Sequence, residues 1–75
     1  MDMELMQIQM KQDFEELAEQ YDGAADNELM FALGAPTAEA TKMHTENAVQ
    51  NREMAKFYRY LAGRALDLVE SFEED

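Results

Sequence analysis

Residues 54–72 read MAKFYRYLAGRALDLVESF, and their apolar positions recur at alternating spacings of four and three. Met54, Tyr58, Leu61, Ala65, Leu68 and Phe72 therefore share one face of a helix, broadened by Phe57 and Val69. No proline and only Gly63 interrupt residues 37–75, and Thr37 suits an N-cap, so the pattern predicts one helix over about 37–73. Traced backward, the same register lands on Asn51, Asn47 and His44. The seam turns polar there, so residues 44–53 are the weak stretch, and Thr45 offers a cap for a restart should the helix break near His44–Glu46.

Upstream, Met3, Met10, Phe14, Leu17 and Tyr21 form a second apolar face, widened by Met6 and interrupted by Gln7. Asp2 suits its N-cap, and Gly23 stands where a left-handed C-terminal residue is expected, predicting a helix over about 3–22. A short helix over about 27–33 follows, with Leu29, Met30 and Leu33 on its apolar side and Gly34 and Pro36 as its stop. The nineteen-residue faces 3–21 and 54–72 each span about 28 Å of helix. Antiparallel, they pair Met3 with Phe72, Met10 with Ala65, Phe14 with Leu61 and Tyr21 with Met54. That register sets Glu15, Glu16, Glu19 and Asp22 near Arg52, Lys56 and Arg59.

These pieces predict an all-α protein of one domain, residues 1–75: an antiparallel helical hairpin with a short intervening helix. Seventy-five residues without cysteine have no disulfide to add to a small core, and one His makes a structural zinc site a poor remedy. Association is the remaining route to stability. Ala55, Ala62, Gly63 and Ala65 permit close helix approach. The expectation is a homodimer completing a four-helix-like bundle through Met54, Tyr58, Leu61, Ala62, Ala65, Leu68 and Phe72.

Charge is as segregated as hydropathy. Residues 1–28 hold nine carboxylates against Lys11, and residues 65–75 hold five against no cation. Lys42, Arg52, Lys56, Arg59 and Arg64 lie between, beside Glu46 and Glu53. A net charge of −11 favours basic partners and opposes nucleic acid and anionic lipid. The acidic N-terminus and the lack of an eighteen-residue apolar run give no sign of a leader or a membrane span, so the cytoplasm is the expected location.

Motifs for chemistry are weak. Met3, Met6 and Met10 read as packing or as an adaptable partner surface ahead of a soft-metal site. Residues 22–28 fail as a calcium loop, because Gly23 stands second and Ala24 and Ala25 occupy ligand places. His44 has no Glu three residues before it and no second His, so it reads as a half-exposed helix residue. Pairs such as Glu15/Glu19 or Glu70/Glu74 lie on solvated faces, where general acid–base catalysis gains nothing. Arg52, Lys56, Arg59 and Arg64 read as internal ion-pair partners before phosphate grips, and Tyr58 and Tyr60 as packing residues before base-stacking platforms. No enzyme, no cofactor and no metal are expected.

The acids themselves suggest a use. Carboxylates recur about 5–6 Å apart along a helix face, near the spacing of phosphates along a strand. Glu15, Glu16, Glu19, Asp22, Asp26 and Glu28, with Glu70, Glu73 and Glu74 as a second patch, are the expected contacts to a basic protein surface. In size, acidity and want of catalytic residues the chain is similar to the small inhibitors encoded by bacteriophages, anti-CRISPR and anti-restriction proteins among them. That likeness is one of composition; it implies an inhibitor acting in a host cytoplasm and carries over no residue roles. The alternative is a helical adaptor or chaperone working through Met3, Met6, Met10, Leu29, Met30 and Phe31. A helix-turn-helix DNA binder ranks third, against the charge.

Overall fold

Alanine, not the large apolar residues, sets the architecture. The computed structural model describes residues 2–73, apart from the side chains of Leu66, Ser71, Phe72 and Glu73. Its regular structure is all helical: α1 (Met3–Leu33), α2 (Ala38–Gly63) and α3 (Ala65–Glu73).

Asp2 caps α1, its carboxylate accepting from the Glu4 backbone N–H at 3.0 Å. The expected stop at Gly23 and the separate helix over 27–33 are corrected: α1 runs unbroken through both, and no glycine has a positive φ. A glycine inside a helix costs about 1 kcal/mol relative to alanine. Ending the helix there would instead forfeit the buried contacts of Ala25 and Ala32. Gly34 ends α1 with φ at −96°, so it stops the helix without the left-handed geometry. Thr37 is extended and caps α2, its hydroxyl accepting from the Ala40 N–H at 3.1 Å.

α2 passes unbroken through His44–Glu46, the place where a break was the alternative to one continuous helix. The polar residue there is satisfied across the seam, where His44 Nδ1 lies 2.5 Å from the Glu28 carboxylate and its ring 5.6 Å from that of Phe31. The interruption falls instead at Arg64, just past Gly63, so residues 37–73 form two helices. Glycine holds a helix least well of the residues in that stretch. The Arg64 N–H turns back to the Leu61 carbonyl at 3.0 Å, and Leu68 resumes the ladder on the Arg64 carbonyl.

α1 and α2 run side by side in opposite directions. From the turn outward, Thr41 reaches the Ala32 carbonyl, His44 meets Glu28, Arg52 meets Asp22, and Tyr58 stacks on Phe14. The buried residues between them are Ala18, Ala25 and Ala32 on α1 and Ala48, Ala55 and Ala62 on α2. Each set repeats every seventh residue, the period that keeps one line of side chains facing a partner helix. Methyl-sized side chains at every contact let the two backbones approach closely. The register along the axis stays close to the sequence expectation, with Tyr58 seated between Phe14 and Tyr21: Phe14 meets Tyr58 at 6.0 Å between ring centroids, not Leu61. Tyr21 stacks on the same Tyr58 ring at 5.7 Å, not on Met54. Ala65 and Val69 continue the buried line into α3, which packs on α1. The result is a rod of 54 × 17 × 13 Å.

Candidate functional site

The two flanks of this rod differ in chemistry. Four residues after Ala18, Ala48 and Ala55 stand Asp22, Arg52 and Arg59, all on one side of the seam. They form a cross-helix ion cluster. Arg52 donates one Nη to Asp22 at 3.0 Å and the other to Asp26 at 2.5 Å, and Arg59 donates to the second oxygen of Asp22. The Arg59 hydrogen bond, supported by Arg52 and opposed by partial burial, holds the Asp22 carboxyl below its usual 3.8. Asp22, with Asp26 behind it, raises Arg52 in return.

One residue before each seam position lies the opposite flank, apolar except at Asn47 and where the Glu28–His44 pair meets Phe31. Met3, Met10, Leu17, Ala24 and Phe31 run along α1, with Met54, Leu61 and Leu68 along α2 and α3. In antiparallel helices these two lines fall on the same side of the pair. Met6 and Phe57 extend the strip outward. Phe31 is 60 % exposed, Phe57 46 % and Met54 38 %, and the rest are half-buried. Large side chains thus lie beside the seam with one face against the rod and the other bare. Leu5, Ile8, Leu29, Leu33 and Val49 are also exposed, but they are interspersed with charged groups on the ionic side.

Against this geometry the expected contact residues separate. Glu15, Glu16 and Glu19 are exposed on α1, Glu15 with Lys11 4.0 Å away. Asp22 and Glu28, half-buried, and Asp26, exposed, are paired within the chain by Arg52, Arg59 and His44. Asp13 joins Glu16 and Glu19 on the outer face at spacings of three, with no cation against any of them among the described residues. That spacing was the readable signal for it. Glu70 is exposed on α3, whereas the Glu73 side chain and all of Glu74 lie outside the described residues. Of the expected interface set, Tyr58, Ala62 and Ala65 belong to the seam, Met54, Leu61 and Leu68 to the apolar flank, and the Phe72 side chain lies outside the description.

Every lysine and arginine in the chain has a carboxylate of the same chain within 4.0 Å. Beyond Arg52 and Arg59, Lys42 faces Glu46, Lys56 faces Glu53, and Arg64 donates to Asp67 at 2.6 Å. Lys56 therefore does not cross to α1 as the sequence reading expected. An open groove between α1 and α2 is lined by Lys11, Glu15, Glu19, Arg59, Ala62 and Gly63. Among the described residues no group of three or more His, Asp or Glu is set to hold a metal ion. No helix there is long and apolar enough to cross a membrane. No family model, no curated protein and no solved structure matches the chain.

Proposed function

We propose that this chain is a small acidic inhibitor that works by binding: a homodimer that covers a basic, nucleic-acid-binding surface of a partner protein. The observation that carries the reading is that all six cations stand within 4.0 Å of a carboxylate of the same chain. With each Lys and Arg beside a carboxylate of its own chain, the unpaired charge that the outer surface offers a partner is that of carboxylates. Asp13, Glu15, Glu16 and Glu19 form the contact face on α1, with Glu70, Glu73 and Glu74 as the second patch. Phosphate recognition by this protein itself is disfavoured, since it requires free cations.

The homodimer part rests on the bare apolar flank. The buried core among the described residues is seven alanines and Val69. The radius of gyration is 16.8 Å, against about 11 Å for a compact 75-residue domain. A helical hairpin whose described apolar residues larger than valine are all partly bare has the surface that a second hairpin would cover in a four-helix bundle. That same flank supports a second reading, in which it binds a different protein and the chain is an adaptor or chaperone.

Salt separates the two, because charge-led contacts weaken with ionic strength and apolar burial does not. The test is affinity capture from bacterial lysate by the tagged protein and by its E15K/E16K/E19K variant, washed at low and high salt. A basic nucleic-acid-handling protein, retained by the parent at low salt only and lost from the variant, is expected. A partner that the variant keeps, or that survives high salt, would transfer the function to the apolar flank.

A further inference from the structure

We infer that the apolar flank is covered by a second copy of this chain lying antiparallel to the first, the turn of each beside the helix ends of the other. This builds on the self-association proposed above and adds its geometry.

The area to be covered fits one further copy. A folded monomer of 8.6 kDa exposes about 4,700 Å². This chain exposes 5616 Å², about 900 Å² more. A standard interface removes about 800 Å² from each partner. A flank running from Met3 to Phe31 along most of the rod can supply that area against an identical flank, and a two-fold axis makes such a surface self-complementary.

Charge decides the direction. Residues 29–38, at the turn, contain no charged side chain at all. Among the described residues the opposite end gathers Asp2 and Glu4 with Asp67 and Glu70, against Arg64 alone. A parallel arrangement sets these two acidic ends beside each other, where like charges repel. The antiparallel arrangement sets each acidic end beside an uncharged turn. It also brings Met3, Met6 and Met10 of one copy to the exposed Phe31 of the other, and thioethers pack well against aromatic rings. Leu17 and Met54, midway along the flank, then lie near the two-fold axis. Both ionic flanks, with Asp22, Arg52 and Arg59, remain on the outside.

The chain has no cysteine, so single cysteines report cleanly. Met30→Cys and Gln9→Cys place spin labels on the outer side of α1, at residues that are exposed. Met30 is thirteen residues from Leu17 and Gln9 eight, so pulsed dipolar spectroscopy on the full chain reads the orientation. The antiparallel dimer gives about 40 Å or more at Met30→Cys and a shorter distance at Gln9→Cys. Equal distances of about 25 Å at both sites, the width of two helix layers, would overturn the antiparallel geometry and leave the dimer standing. A lack of dipolar coupling at both sites, in chains that keep their helical circular dichroism, would overturn self-association as well.

Discussion

Ala55 has no exposed surface, and neither have Ala18 or Ala25 across the same seam. At such positions the small size of the side chain is what sets the distance between helices. A larger one must push α1 and α2 apart along the whole line of contacts. Ala55→Leu should destabilise the fold by about 1–3 kcal/mol, as overpacked cores do. At roughly 4–8 °C per kcal/mol for a chain of this size, thermal melting followed by circular dichroism resolves the loss. An unchanged midpoint would mean that the helices do not meet at Ala55. This is also where the sequence was hardest to read. Alanine is the best helix former, so Ala18, Ala25 and Ala32 read as filler rather than as core. The eye follows Met54, Leu61 and Leu68, which lie one residue off the true seam. The pairing of Arg52 and Arg59 with Asp22 was within reach of the sequence, because opposite charges on facing helices are set by register alone. The His44–Glu28 contact was not, because it depends on α1 continuing past Gly23.

Among the elements, α1 shows how local signals and tertiary packing compete. Asp2, Gly34, Pro36 and Thr37 mark helix ends through short-range hydrogen bonds and torsions, and such marks are visible in sequence. Gly23 carries the same mark, yet the chain runs through it in helical torsions because Ala25 and Ala32 are needed in the seam. An added Cβ at Gly23 would meet nothing within 4 Å. Gly23→Ala should therefore stabilise the protein by about 0.5–1 kcal/mol through the lost freedom of the unfolded chain. Urea unfolding measures it. A destabilised variant would mean that Gly23 occupies a left-handed cap and that α1 is two helices. Gly63 shows the converse: the helix yields at Arg64 just past it, and the buried line resumes at Ala65 after the interruption.

Across the whole molecule, hydropathy and charge are sorted onto opposite flanks and opposite ends. One flank is closed by Arg52 and Arg59 on Asp22; the other carries the larger apolar side chains half bare. Among the described residues a buried set of seven alanines and Val69 is a small hydrophobic reserve. In the proposed dimer a second copy would add the burial that the first lacks and would leave the acidic outer faces free for a basic partner. Sedimentation equilibrium across a dilution series tests this most directly. We expect a particle of twice 8.6 kDa, with a melting temperature that rises with protein concentration. A mass of 8.6 kDa at every concentration would contradict it.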